Sequence, residues 1–381
     1  MHILIAPNSF KHSLDASDVA LAIEKGFLQS KLHCTFECFP IGDGGDGTGT
    51  LIIDKFGGEV IKTTVHDALG RTIDASFGLI DGGKTAIIEM ANASGIRLLQ
   101  SEELNPLQAT SFGTGEQIKM ALEKGAEKLI IAMGGSATVD VACGILQALG
   151  IRFLDKEGQE LEILPENLTD LDSIDLSDFD KRVLDCEVVV LCDVDNLLLG
   201  DEGAAAVFGP QKGASTEDVK ILDRALSRFS EVTFKQTGKD ITSIKHGGTA
   251  GGAAAGLYAF LNAKLVNGID YFLDLTDFSS SLEKADLVIT GEGSIDEQTL
   301  QGKGPFGVAS RAKFKSLPVI AFAGKVPLEL NSQLQEYFDV IMPIGNEPDD
   351  LAKALSHTSK NLTRTAKNLG NILALNIEMP D

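Results

Sequence analysis

Short apolar runs in this chain stop, one after another, at loops rich in glycine and charge. Cys38–Ile41 leads into GDGGDGT, Leu129–Ala132 into MGGSAT, and Val188–Leu191 into CDVDN. Leu287–Ile289 leads into TGEGSID, and Val319–Phe322 into AGKV. A brief β-branched run that ends at Gly beside Asp or Lys reads as a buried parallel strand feeding a loop. Open α/β sheets bind their ligands at the carboxyl ends of such strands. Glycine lets the backbone approach a ligand, and exposed N–H groups in such loops bind anions. Neighbouring carboxylates suit a hard cation such as magnesium. The pattern predicts an enzyme that handles a phosphorylated compound with a metal.

Composition narrows the partners. A chain of 381 residues has room for roughly two or three domains. A 43% hydrophobic content without a long polar tract predicts a fully folded chain. Against 33 Lys and Arg stand 55 Asp and Glu, a net charge of −22. Such a surface repels nucleic acid and anionic lipid, so neither is an expected partner. It repels ATP as well, so a nucleotide site needs a local group of Lys or Arg. Cys34, Cys38, Cys143, Cys186 and Cys192 are odd in number and form no C-x-x-C, which points away from a disulfide framework and from zinc. The opening MHILIAPNSF has no basic n-region and no long apolar stretch, so no signal peptide is expected, and no run reaches a membrane span. The expected location is cytoplasmic, and the expected state a monomer or homodimer.

Periodicity supplies the organisation. His2–Ala6 reads as a strand, and Ser17–Gln29 as a helix with Val19, Ala20, Ile23 and Phe27 on one face. Thr35–Phe39 and Thr48–Phe56 read as a second strand and a second helix. From Glu59 the sequence alternates and is broken by turn dipeptides, the signal of antiparallel strands. A helix is expected at Gly115–Lys124, and a hairpin in IRFLDKEGQELEIL turned at Glu157–Gly158. After Leu282 a β–α rhythm returns, with strands at Leu287–Thr290, Val319–Phe322 and Tyr337–Ile341 and helices at Gly307–Phe314 and Asp350–Leu375. The two ends together supply the flavodoxin-like count of parallel strands. The predicted class is α/β: a flavodoxin-like, doubly wound parallel-sheet domain built from residues 1–62 and 283–381, with a second, mixed α/β domain inserted at 63–282. A ligand cleft between the two is the expected active site.

Each motif has a functional and a plainer reading. Gly78-Leu-Ile-Asp-Gly-Gly-Lys-Thr85 satisfies the G-x-x-x-x-G-K-[ST] phosphate loop. That loop requires a following helix, whereas Thr85-Ala-Ile-Ile-Glu-Met fits a strand, so Asp81-Gly82-Gly83 is predicted to be a hairpin turn. In GDGGDGT, Asp43 and Asp46 flank two glycines and suit a cation or polyol. Asp46 would also serve as a helix N-cap. Ala6-Pro-Asn-Ser-Phe-Lys11 ends the first strand and offers Ser9 and Lys11 to a ligand; a solvated lysine is the plainer alternative. GGSATVD is a candidate anion cradle at a helix N-terminus, with Asp140 in the first turn. CDVDN places Asp193 and Asp195 at a strand end, but Leu197 and Leu198 rule out an EF-hand loop. GPQKG offers Lys212 in a flexible loop. HGGTAGG, with Gly251 and Gly252, reads either as a phosphate cradle or as close helix packing. The segment from Gly291 to Gly307 carries Glu292, Asp296, Thr299 and Lys303. No G-x-S-x-G is present, which excludes a hydrolase nucleophile elbow of that kind.

Taken in order, these loops resemble the glycerate kinase family of the first type, whose members use ATP to phosphorylate D-glycerate. IAPNSFKHSLDA is similar to the family's opening IAPDSFKGSLSA, and IGDGGDGT to its P-[IVL]-A-D-G-G-E-G-T. NPLQATSFGTGE, GGSATVD, CDVDNLLLG, AAVFGPQKGA and ADLVITGEGSIDEQTLQGKGPFGVA each resemble a family segment, over essentially the whole chain.

The resemblance implies ATP as co-substrate, Mg2+, and D-glycerate as acceptor, with 2-phosphoglycerate the favoured product. Phosphoryl transfer is mainly positioning and charge stabilisation. Asp193 is the first candidate for the base, with Asp43 and Asp296 as alternatives or metal ligands; the candidate metal set is Asp43, Asp46 and Asp195. Lys11, Lys212 and Lys303 are assigned to phosphate or to the glycerate carboxylate. Ser9, Asp43, Gly44, Gly45, Gly134, Gly135, Ser136, Gly251, Gly252, Gly291 and Glu292 complete the candidate binding residues. The alternatives are a kinase for another small hydroxy acid and a non-catalytic ligand-binding homologue. Several positions depart from the family pattern. Asn8 stands for the usual Asp, Ser294 for Arg, and Leu197 for Pro. Val139, Val141 and Ala142 stand for Asn and two glycines, and a β-branched residue at a position of positive φ would be strained.

Overall fold

The computed structural model describes residues 1–329, 332–347 and 350–375. Its strands, in chain order, are β1 (His2–Ile5), β2 (Thr35–Cys38), β3 (Glu59–His66), β4 (Thr72–Ile80), β5 (Thr85–Glu89), β6 (Lys128–Ala132) and β7 (Arg152–Leu154). There follow β8 (Ser173–Asp175), β9 (Glu187–Cys192), β10 (Lys264–Asn267), β11 (Leu287–Ser294), β12 (Val319–Lys325) and β13 (Val340–Pro343). The chain divides into two compact units, Met1–Asp43 with Ile269–Asp381, and Gly44–Gly268.

In the first unit β1, β2, β11, β12 and β13 form a parallel sheet in the order β13-β12-β11-β1-β2. Counted along the chain this is 2-1-3-4-5, the flavodoxin-like order. Ile3, Ile5, Leu287, Ile289 and Phe322 enter a core completed by Val19, Ile23 and Phe27 of the helix Ala16–Leu28 and by Leu362, Ala366 and Leu369 of the helix Thr358–Leu373. The first of these helices starts where Asp15 accepts the Asp18 N–H at 2.8 Å, an N-cap that satisfies one of the free amides of the first turn. Gly26 is required for the contact with the second. A Cβ there would lie 2.3 Å from Thr363 O.

The second unit carries a mixed sheet in the order β10-β9-β6-β5-β4-β3, parallel from β10 to β5 and antiparallel at β4 and β3. Thr85 to Glu89, Leu129 to Ala132 and Val188 to Cys192 are buried throughout, as parallel strands covered on both faces must be. The G-x-x-x-x-G-K-T match is a hairpin. Asp81–Gly83 forms a single turn between antiparallel β4 and β5, and the Thr85 hydroxyl donates to Asp81 at 2.8 Å.

The structure adds to the sequence reading or departs from it in four places. The changeovers between units lie at residues 43/44 and 268/269, not at 62/63 and 282/283. Helix Thr48–Phe56 follows a flavodoxin-type strand, yet it packs on β4 and β5, with the absent Cβ of Gly78 aimed at Ile53 Cδ1. The hairpin after β7 forms as a short return, with Leu161 N–H donating to Phe153 O and Leu154 bridged to Glu160, and β7 also pairs with β8, Leu154 standing against Ser173. The last strand begins at Val340, because Ser332–Tyr337 is helical.

Candidate active site

In the second unit three glycine loops meet at the carboxyl ends of β6 and β9. Gly44 and Gly135 have positive φ, 93° and 74°. Gly134 N–H donates to Gly44 O at 2.9 Å, and a Cβ on Gly134 would stand 2.4 Å from Gly45 Cα. Gly44 in turn lies against Leu191 at the end of β9. Glycine is thus needed at these positions for backbone contact, whatever ligand they meet. The loop is fixed further by Ala137 N–H to Ser94 O and Ile96 N–H to Gly135 O.

Lys212 is not in a flexible loop. It ends the short turn Pro210–Lys212, is 3% exposed, and donates to Ser136 Oγ at 2.8 Å and Thr138 O at 2.7 Å. Burial pulls the ammonium down to about 8, and the charges of Asp140 and Asp193 act against that fall. Lys212 therefore braces the GGSAT loop from behind. Asp140, completely buried, accepts the Ser111 N–H and hydroxyl at 2.9 and 2.6 Å and the Gly144 N–H at 3.1 Å. It precedes the helix Cys143–Ala148 rather than lying in its first turn, so GGSAT is not itself at a helix N-terminus. Val141 and Ala142 have φ of 47° and 65°. The strain expected where these residues replace glycine is present; Val139 does not share it.

The other second-unit candidates are engaged locally. Asp46 pairs with Arg97 at 3.3 Å and does not cap the following helix, whose N-cap is Gly47. Asp195 pairs with Lys245 at 3.2 Å and with His246 Nδ1 at 3.1 Å. Gly251 packs against Thr138 O and Gly252 against Leu198, which accounts for both glycines by close packing. Sequence reasoning missed Glu89 and gave His246 no role. Glu89 is buried at the end of β5, accepts the Gly49 N–H at 2.8 Å, and has its carboxyl raised by burial. His246 Nδ1 lies 2.7 Å from Val194 O, which fixes the turn between the two CDVDN aspartates. A Glu at the end of a buried strand was the available signal for the first.

In the first unit, the ends of β1 and β11 bring together Asn8, Lys11, Asp43, Glu292 and Lys303. Asn8 Nδ2 donates to Asp43 Oδ2 at 2.8 Å, and Gly304 N–H approaches the same oxygen at 3.3 Å. An Asp at position 8 would set two carboxylates against each other, so Asn8 settles this contact without a shared proton. Ser9 N–H turns back to Asn8 Oδ1 at 2.8 Å. Glu292 is 9% exposed and accepts the Thr299 hydroxyl at 2.9 Å. Burial pushes its carboxyl up to about 7; Asp43 adds to this, while Lys303, Thr299 and Lys11 oppose it. Gly291 lies against Phe322 O, and Ser294 Oγ donates to Asp296 at 3.3 Å. Lys303 is the N-cap residue of the helix Gly304–Phe314.

Among the described residues no three His, Cys, Asp or Glu gather as a metal site, and Asp46 and Asp195 already pair with Arg97 and Lys245. This arrangement still fits magnesium, which is commonly held by one or two carboxylates together with substrate phosphates. The described cysteines are all unpaired thiols, and no helix among the described residues is long and apolar enough to cross a membrane.

Known proteins share this sequence and fold over nearly their whole length. The sequence pattern of the glycerate kinase family matches residues 3–374. Glycerate kinase of Bacillus subtilis (strain 168) is 43% identical over 375 residues, covering 98% of each chain. Glycerate 2-kinase of Escherichia coli (strain K12) is 42% identical over 375 residues, again covering 98% of each. A crystal structure from Salmonella typhimurium LT2, assigned to glycerate kinase 2, superimposes with a TM-score of 0.82 at 42% identity and 98% coverage of both chains.

Proposed function

The chain belongs to the glycerate kinase family and is a kinase, and from that premise we propose that it transfers the γ-phosphoryl of ATP to the 2-hydroxyl of D-glycerate. The products are 2-phosphoglycerate and ADP. The observation that carries this reading is the buried ammonium of Lys212, clamped onto Ser136 and Thr138 in a glycine loop at the end of a parallel strand. In a chain with a net charge of −22, a fixed cation behind a loop of backbone amides suits a polyphosphate.

Gly134 already spends its amide on Gly44, so Gly135 and Ser136 are assigned as the loop's donors to phosphate. Lys11 and Lys303 take the glycerate carboxylate or the transferring phosphoryl, where preorganised cations stabilise developing charge. Asp193 accepts the proton of the attacking hydroxyl. Glu292 is a second proton acceptor in this scheme, on the specific ground that its carboxyl exchanges a proton near pH 7. Asp43 is the carboxylate assigned to magnesium, which would neutralise charge on the β- and γ-phosphates when bound with ATP. The reaction is placed in the cytoplasm.

Proton-coupled phosphorus NMR of the reaction mixture tests the proposal. An ester at the 2-hydroxyl couples to the single proton on that carbon and gives a doublet. A triplet would assign the 3-hydroxyl, and the absence of any new ester would remove the kinase assignment for D-glycerate.

A further inference from the structure

Arg97 is a cation beside the glycine loop that the scheme above leaves without a role. It stands in the short turn Ile96–Leu98, and backbone bonds join that turn to the loop. Ile96 N–H donates to Gly135 O at 2.8 Å, and Gly95 and Ser136 form an antiparallel bridge. Asp46 also lies against the loop, because a Cβ on Gly135 would stand 3.7 Å from Asp46 Cβ. The guanidinium of Arg97 is held at two nitrogens. Its Nε is 3.3 Å from Asp46 Oδ2, and its Nη2 donates to Asn92 Oδ1 at 2.6 Å. Asn92 is anchored in turn. Its Nδ2 donates to Glu89 Oε2 at 3.3 Å and to Ser76 O at 3.4 Å, and Glu89 accepts the Gly49 N–H at 2.8 Å. Nη1 of Arg97 has no partner among the described residues, and the side chain is 51% exposed. A half-exposed ion pair contributes little to stability on its own. A planar fork whose orientation is already fixed, with donors still open, suits phosphate, since less side-chain freedom is lost when the ligand binds.

We propose that Arg97 is a binding residue for the ATP phosphates, donating from Nη1 to the phosphate received by Gly135 and Ser136. Asp46 and Asn92 act through it as positioning residues that set the plane of the guanidinium. The inference rests on the reading of that loop as the phosphate cradle. It supplies a local cation that an acidic chain needs in order to hold a polyphosphate. The Lys212 ammonium is already engaged with Ser136 Oγ and Thr138 O, whereas Arg97 keeps open donors on the exposed side.

The test treats the full chain with butane-2,3-dione in borate and reads the modification rate of each arginine by mass spectrometry. Arg182 is the internal reference, because it is 52% exposed and likewise paired with a carboxylate, that of Asp180. Mg-ATP at about ten times its calorimetric dissociation constant should slow the modification of Arg97 about tenfold relative to Arg182. Adenosine and D-glycerate at the same concentration should not. Arg97→Gln should weaken ATP binding roughly 10- to 100-fold, the loss of one charged hydrogen bond, and Arg97→Lys should recover part of it. Both variants should melt within about 3 °C of the wild type. An Arg97 that only braces the loop would weaken ATP binding and lower the melting temperature when replaced, yet ATP would not protect it, and that result overturns the proposal. So does an Arg97→Gln protein that binds ATP as the wild type does. Protection by D-glycerate alone assigns the guanidinium to the acceptor carboxylate, and protection by adenosine assigns it to the nucleoside; either overturns the phosphate contact. If Arg97→Gln fails to fold, protection of the wild type decides. If ATP protects Arg97 but no glycerate is phosphorylated, the acceptor assignment fails and the contact stands. If glycerate is phosphorylated while Arg97 stays unprotected, the kinase reading stands and the contact falls.

Discussion

Replacing Glu292 by Gln should remove a pH dependence of stability whose size follows from the burial of this carboxyl. The side chain is 9% exposed. Burial lifts it from 4.5 to about 7, with Asp43 adding to the rise and Lys303, Thr299 and Lys11 opposing it. The folded protein therefore holds this proton more tightly than the unfolded chain. The resulting stabilisation is fully present below about pH 4.5 and is lost as pH rises through about 7. A gap of about 2.5 pH units, at roughly 1.4 kcal/mol per unit, comes to about 3 kcal/mol. Gln keeps an oxygen for the Thr299 hydroxyl and cannot ionise, so it lacks this component. Urea unfolding of both proteins across mildly acid to mildly alkaline pH is the assay. The stability of the wild type relative to Glu292→Gln should fall by about 3 kcal/mol across that window. Two parallel profiles would refute the reasoning, because they would mean that Glu292 titrates alike in the folded and unfolded states.

Other substitutions address separate links. Thr85→Val removes one hydroxyl bond to Asp81 and should leave the Michaelis constant for ATP within about twofold, since no phosphate contact is lost; a hundredfold loss of turnover would restore the nucleotide-loop reading. Ala142→Gly should change stability by less than about 1 kcal/mol, because relief of left-handed strain offsets the lost methyl and the freer unfolded chain. A urea-measured loss above about 2 kcal/mol would show that the position is not strained. Asp193→Asn should lower turnover roughly 100- to 10,000-fold with ATP affinity retained, and unchanged turnover would move the base to Asp43, Asp296 or Glu292. Chelation should abolish turnover and added Mg2+ restore it, while full activity in chelator would remove the metal from the scheme.

Much of the fold was legible because it is written locally. A β-branched run followed by glycine marks a parallel strand, and the returning β–α rhythm after Leu282 marks the first sheet's second half. The hairpin at Asp81–Gly83 was legible because Thr85-Ala-Ile-Ile cannot open a helix as a phosphate loop must. Pairing across the chain was not legible. Helix Thr48–Phe56 has an ordinary amphipathic face, and nothing in it says whether that face meets β2 or, as found, Gly78 of β4 and Ile87 of β5. β7 takes one partner through its own turn, Glu160 against Leu154, whereas its pairing with β8 is set by tertiary packing. The site divides in the same way. Glycine loops and the lysines beside them stand out in a sequence, but the burial of Lys212 does not, because GPQKG looks like a solvated turn. Asp140 was visible, whereas its bonds to Ser111 span twenty-nine residues and no spacing rule reaches so far. The strain at Val141 was foreseen from the glycine pattern it departs from, since only glycine takes positive φ without cost, and Ala142 shares it.

The central claim is that this chain phosphorylates glycerate at the expense of ATP. Steady-state ADP release, measured with Mg-ATP and a panel of small hydroxy acids, tests it directly. D-glycerate should drive ADP release at a rate far above that with any other acid in the panel and above the acid-free background. Release with another hydroxy acid alone, or with none, would contradict the claim.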